Sequence, residues 1–204
     1  MATSLRISFQ GEAGAFGDIL IQEEWRGEAE AVAAPSFAAT LALVVGGACD
    51  MAVLPVWNTT IGDVREAVAA VGETGNALES CGEVMMPVRH ALLALPGASL
   101  ASVRWVGSHP AALGQCARYF AEHPALHAVE AFDTAGAARE LSAFPSAGAE
   151  IPPWYAGLDA RTEQLAAIAH AGAGKRYGLN VLADAIQDDP QNATRFLVLR
   201  RRSS

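Results

Sequence analysis

The residues best suited to chemistry lie near the end of the chain, in Asn192-Ala193-Thr194-Arg195-Phe196. A polar loop runs into a short apolar strand, and the junction carries one hydroxyl, Thr194, beside one permanent cation, Arg195. A hydroxyl next to a guanidinium can hold an anion and stabilise an oxygen that is gaining charge. A plain loop and strand has the same composition, so this pair alone assigns no role.

Three other stretches are candidates. Met51 to Pro55 predicts a buried strand whose end delivers Asn58, Thr59 and Thr60 to the start of a helix, the place where open α/β sheets bind ligands. Ser108-His109-Pro110 opens a helix that carries Gln115 and Cys116; Ser108 suits an N-cap as well as a ligand contact. Gly11 to Asp18 forms a glycine-rich turn between a strand (Leu5 to Phe9) and a helix (Ile19 to Trp25), the arrangement of an anion cradle. Its spacing is not that of a dinucleotide-binding loop, and glycine dihedrals in a tight turn explain it equally.

Two lookalikes fail. Gly172-Ala173-Gly174-Lys175 is followed by Arg176 and preceded by Ala169 where a phosphate loop needs a hydroxyl and a glycine. His123 and His127 have helical ligand spacing, but Pro124 separates them and no third ligand is near, so no metal is expected.

The elements that position these residues alternate between strand and helix, which predicts an α/β fold with mixed, largely parallel sheets. Further strands are expected at Ala29 to Ala33, Val103 to Gly107, His127 to Phe132 and Arg195 to Leu199, and helices from Ser36, Asp63, Pro110 and Asp133. Glu83 to Leu95 is a long extended stretch, and Phe144 to Leu158 an irregular insertion. With 204 residues, 51% hydrophobic and 18% charged, the chain can bury a sizeable core. A net charge of −8 argues against nucleic acid or an anionic membrane as partner and leaves room for a small anionic substrate at a local arginine. No signal peptide or membrane span is evident, and Cys49, Cys81 and Cys116 read as reduced thiols, so a cytoplasmic protein is expected.

Five segments, in this order, resemble the prephenate dehydratase family: Gly11-Glu12-Ala13-Gly14-Ala15-Phe16, Pro55-Val56-Trp57-Asn58-Thr59-Thr60, Ser108-His109-Pro110 with Gln115-Cys116, Ala166-Ala167-Ile168-Ala169-His170 with Tyr177-Gly178-Leu179, and Asn192-Ala193-Thr194-Arg195-Phe196. The resemblance implies a two-lobed fold like type II periplasmic binding proteins, with the active site in the cleft between lobes. On that basis residues 1–87 and 181–204 form one lobe and 88–180 the other. It implies conversion of prephenate to phenylpyruvate with loss of water and carbon dioxide, without cofactor, in a homodimer or higher oligomer. Thr194, Asn58, Gln115 and Ser108 take the catalytic positions. Arg195, Phe196, Thr59, Thr60, Gly14, Ala15, Phe16, Trp57 and His170 take the substrate-binding ones.

The reaction suits a hydroxyl donor. Aromatisation drives the fragmentation, so the enzyme must chiefly help the ring hydroxyl leave, and one well-placed donor is worth about 3 kcal/mol at the transition state. Several positions depart from the family pattern: Trp57 stands where the family has glutamate, His170 where it has serine, and Ala15 and Gly17 where it has threonine and serine. Trp154 and Tyr155, in a longer insertion, suit a lid or a subunit contact. The chain leaves no room for the family's phenylalanine-sensing ACT domain, so no feedback by that route is expected. Arogenate as substrate, a prephenate decarboxylase and a non-catalytic small-anion binder remain alternatives.

Overall fold

The computed structural model describes residues 4–144, 153–156 and 164–203. Among these, the chain divides into two compact units, one of residues 1–88 and 191–204 and the other of residues 89–190.

In the first unit the chain runs β1 (Leu5–Gln10), α1 (Phe16–Glu24), β2 (Ala29–Ala34), α2 (Phe37–Val45), β3 (Met51–Asn58), β4 (Gly62–Asp63), α3 (Arg65–Glu73) and β5 (Leu78–Pro87), and ends with the last strand, β11 (Ala193–Arg201). The sheet order is β2-β1-β3-β11-β5, with β4 on β3. The pairs β1–β2 and β1–β3 are parallel, while β11 is antiparallel to both β3 and β5. Alternating side chains give the sheet two buried faces. Ile7, Phe9, Val53, Phe196 and Val198 pack with Leu20 and Ile21 of α1. Ala52, Leu54 and Leu199 pack with Leu41 and Val44 of α2 and Ala67 and Ala70 of α3. Gly17 is explained by this packing: a Cβ there would lie 2.9 Å from Phe9 Cβ, so α1 sits too close to β1 for a larger residue.

The second unit contains β6 (Ala91–Ala94), β7 (Trp105–Ser108), α4 (Pro110–Gly114), α5 (Ala117–Glu122), β8 (His127–Glu130), α6 (Thr134–Ala143), a 3-10 turn (Pro153–Tyr155), β9 (Leu165–Ala169), α7 (Ala171–Tyr177) and β10 (Asn180–Ala183). Its sheet runs β10-β6-β9-β7-β8. β7 is parallel to β8 and β9; β6 is antiparallel to β9 and β10. Every residue of β9 is buried, since Leu165, Ala167 and Ala169 face α6 and Ala166 and Ile168 face the α4 side.

Both sheets are mixed: parallel pairs share each sheet with an antiparallel strand, β11 in one and β6 in the other. Two expectations need adjusting. The second unit reaches past residue 180 to Pro190, because β10 pairs with β6 and Ile186 N–H donates to His90 O. Most of the expected insertion lies outside the described residues. Its described part seats Trp154 and Tyr155, 7% and 3% exposed, in the core of the second unit, with Trp154 Nε1 donating to Glu140. The lid or subunit contact expected of these two rings is therefore replaced by core packing.

Candidate active site

The functional residues of the first unit gather where β3 and β11 pair. Phe196 is opposite Pro55 but Arg195 is opposite Trp57, so β3 carries an extra residue, Val56. This bulge re-aims the end of β3. Simple alternation from Leu54 would turn Asn58 toward the α2–α3 face. Past the bulge it lies opposite Thr194, on the side shared with Phe196 and Met86.

Asn58 is 4% exposed, and both ends of its amide are engaged. Nδ2 donates to Asn192 Oδ1 at 2.8 Å, Thr194 Oγ1 at 2.9 Å and Ala193 O at 3.0 Å. Oδ1 accepts from the backbone N–H groups of Thr60 at 2.9 Å and Ile61 at 3.2 Å. Reversing the amide would set oxygen against the Ala193 carbonyl and nitrogen against two backbone N–H donors, so its orientation is fixed. Thr194 Oγ1 must then accept from Asn58, and its own hydrogen is turned elsewhere. Among the described residues nothing accepts it. Thr59 closes the cluster: its hydroxyl accepts from Ala193 N–H at 3.0 Å and donates to Asn192 Oδ1 at 3.3 Å.

The other expected residues of this unit are placed differently. Arg195 adjoins Thr194 in β11 and therefore faces the opposite side of the sheet. There its Nη1 lies 3.8 Å from Glu83 Oε2, an exposed ion pair. Trp57 is in register with Arg195 and so shares that side. Phe196 is 3% exposed in the core beneath α1, and Ala15 and Phe16 pack against the same core. The glycine turn is a carboxylate cradle, but for the chain's own carboxylate: Gly14 N–H donates to Asp18 Oδ2 at 2.7 Å, with Asp18 only 4% exposed. The bond brings an acidic group to the start of α1, where the helix dipole favours it.

In the second unit the candidates cluster beyond the ends of β7 and β9. Ser108 is fully buried and donates its hydroxyl to Ile168 O at 2.7 Å. The N-cap of α4 is therefore His109, not Ser108: His109 Nδ1 accepts from Ala111 N–H at 3.1 Å. His170 caps α7 in the same way, accepting from Gly172 N–H at 3.0 Å. At the starts of α4 and α7 one backbone N–H is thus taken by a histidine of the chain itself. Gln115 is half-buried at the end of α4, and its Oε1 lies 2.9 Å from His90 Nε2. An amide oxygen only accepts, so Nε2 carries the proton.

Sequence reasoning missed His90. It is 2% exposed, and its backbone N–H donates to Gln187 Oε1 at 3.0 Å. Burial lowers its pKa below the usual 6.5, the Gln115 bond opposes that, and His170 adds to it. The available signal is a polar residue opening the wholly apolar run Ala91 to Ala94, which the fold must satisfy. Cysteine chemistry finds no support here: burial, then Asp188, push the Cys116 thiol up to about 12, which keeps it protonated. His123 stacks on Tyr119 at 4.2 Å and His127 sits 4.9 Å from Trp105, so both rings are engaged in packing.

Comparison with known proteins places this geometry. The prephenate dehydratase family profile matches residues 7–204. Arogenate dehydratase 5 of Arabidopsis thaliana, a chloroplastic protein, is 35% identical over 98% of this chain and 43% of its own length. Arogenate dehydratase/prephenate dehydratase 2 of the same plant is 35% identical over 97% and 46%. The chain thus spans less than half the length of these relatives. Among solved structures, a prephenate dehydratase from Arthrobacter aurescens in complex with L-Phe superposes with a TM-score of 0.79 at 28% identity, covering 98% of this chain and 61% of that one. GqqA, described as a novel type of quorum-quenching acylase, superposes at 0.81 with 31% identity, covering 98% and 65%. With a family match across almost its whole length, this chain belongs to the prephenate dehydratase family.

Proposed function

We propose that this protein is a dehydratase acting on prephenate or arogenate, a carbon–oxygen lyase in which Thr194 assists the departing hydroxyl. The observation that carries this reading is the Asn58 Nδ2 bond to Thr194 Oγ1, which leaves the threonine hydrogen to be given to a substrate oxygen. In the reaction the bond to the ring carboxylate breaks and its electron pair enters the ring, releasing carbon dioxide. The ring C–O bond breaks as the ring becomes aromatic, and the oxygen leaves as water with a proton taken up. A threonine hydroxyl is a weak acid, so Thr194 stabilises the developing charge by hydrogen bonding rather than by prior proton transfer. Proton delivery from solvent completes the water.

Both substrates carry two carboxylates. Arg195, the cation expected to meet one, lies across the sheet from Thr194, so the reading rests on Thr194 and Asn58 and not on that ion pair. Gln115, held by His90, is the polar group we assign to substrate orientation in the second unit. The structural likeness to an acylase supports a second reading, amide cleavage with Thr194 as nucleophile. It is the weaker one, because Thr194 Oγ1 accepts from an amide and touches no base among the described residues. We further propose a cytoplasmic homo-oligomer, on the basis of three free cysteines and the family; sedimentation of the purified protein tests the oligomer.

The test is product analysis with prephenate, arogenate and an N-acyl amide offered separately. Phenylpyruvate or phenylalanine, largely lost in Thr194→Val, is the expected outcome, and the more efficient substrate distinguishes prephenate from arogenate. Release of the acyl group alone would replace this reading with the second.

A further inference from the structure

We infer that Asn192 is a positioning residue for the dehydration, acting through Asn58 to hold the Thr194 hydroxyl in its donating orientation; this rests on the function proposed above. Asn192 directly precedes β11 and is 2% exposed. Its Oδ1 is an acceptor shared by the Asn58 amide at 2.8 Å and the Thr59 hydroxyl at 3.3 Å. The first is the shortest of the three bonds made by Asn58 Nδ2.

The geometry explains why this oxygen matters. An amide nitrogen has two hydrogens, and Asn58 spreads them over Asn192 Oδ1, Ala193 O and Thr194 Oγ1. Asn192 Oδ1 ties the amide to the residue just before β11. It also ties down Thr59, whose hydroxyl holds Ala193 N–H and whose backbone N–H donates to Ala193 O at 2.9 Å. One carbonyl oxygen thus holds both Asn58 and Thr59, the two residues that bond to the start of β11. Removing that oxygen leaves the Asn58 amide held at its other end by Thr60 and Ile61 N–H, but it releases the Thr59 hydroxyl and one of the three acceptors of Asn58 Nδ2, so the nitrogen that donates to Thr194 Oγ1 is held less closely in place. Small misplacements of a reacting group cost on the order of tenfold to a hundredfold in rate.

Two variants test this. Asn192→Ala removes the acceptor, and Asn192→Asp keeps it. Asn192→Ala is expected to lower kcat on the order of tenfold to a hundredfold with KM nearly unchanged, and Asn192→Asp to recover most of that loss. In a Thr194→Val background, Asn192→Ala should lower kcat no further, because the hydroxyl it positions is gone. An equal loss in both backgrounds would overturn the inference and leave Asn192 a structural residue. A readout independent of turnover is the pair of side-chain amide proton signals of Asn58 in the folded protein. They should exchange slowly with solvent in wild type and Asn192→Asp, and faster in Asn192→Ala. Unchanged exchange in Asn192→Ala overturns the proposal, and so does fast exchange in Asn192→Asp if that is the only variant that folds. Wild-type protein that turns over neither substrate would defeat the dehydratase reading alone, and the exchange data would still decide the network.

Discussion

Thr194 and Ser108 are two hydroxyls that the sequence offers as catalytic candidates, each within a motif and each at a strand end. The fold treats them in opposite ways. Thr194 is half-buried and receives a hydrogen bond from Asn58, so its hydrogen remains to be spent on a ligand. Ser108 is fully buried and spends its hydrogen on Ile168 O, joining β7 to β9. A hydroxyl has one proton, and which way that proton runs separates a group that can assist a leaving oxygen from one that completes a sheet. Ser108 braces the strands from which α4 and α7 start.

The comparison is tested most severely by Thr194→Val. Removal of a donor aimed at a developing oxyanion should lower kcat by about 10²–10³-fold, while thermal stability changes little at this half-buried site. Steady-state kinetics of both hydroxyl variants decide the matter: a fall in kcat for Ser108→Ala as large as that for Thr194→Val, in fully folded protein, would abolish the distinction.

Next in size is a stability effect beside Ser108. A Cβ on Gly107 would lie 2.6 Å from Trp154 Cε3, and Trp154 is anchored through Glu140. Gly107→Ala should therefore destabilise the protein by about 3 kcal/mol, at the upper end for overpacking, and shift Trp154 fluorescence. Denaturant unfolding with no loss would mean that the ring moves aside freely. Ser108→Ala is smaller: it leaves Ile168 O buried without its partner, at a cost of about 1–2 kcal/mol in the same assay. A neutral result would show that Ser108 is not a brace.

Much of this was legible in the sequence, and the exceptions share a cause. The strands β1, β3 and β7 and the caps Ser36 and Asp133 follow from local pattern, since each cap accepts from the N–H three residues on. Strand β9 was hidden because Leu165 to Ala169 is mostly alanine, with Ile168 its one β-branched residue. The small side chains are there because Ala137 and Ala138 of α6 pack onto the same face. The pairing of Asn58 with Thr194 could not be read from spacing, because it depends on a bulge at Val56 that reverses which side β3 presents. The same bulge puts Trp57 with Arg195, so the most conspicuous departure from the family pattern falls on the face away from Thr194. The Gln115 partner, His90, lies in no motif at all.

His90 supplies the last prediction and sharpens the contrast in another way. Asn58, which orients Thr194, cannot titrate, whereas His90, which holds Gln115, can. Burial lowers the folded pKa of His90 beneath 6.5, so between the two values the unfolded chain binds more protons than the folded one. The stability tied to neutral His90 is then fully present above 6.5 and is lost as pH falls through 6.5 toward the lower folded value. Unfolding followed from about pH 8 down to about pH 5.5 should show this decline, and His90→Phe should start less stable, having lost the Gln115 bond, yet decline less steeply. If the two slopes match, the pH dependence belongs to groups other than His90.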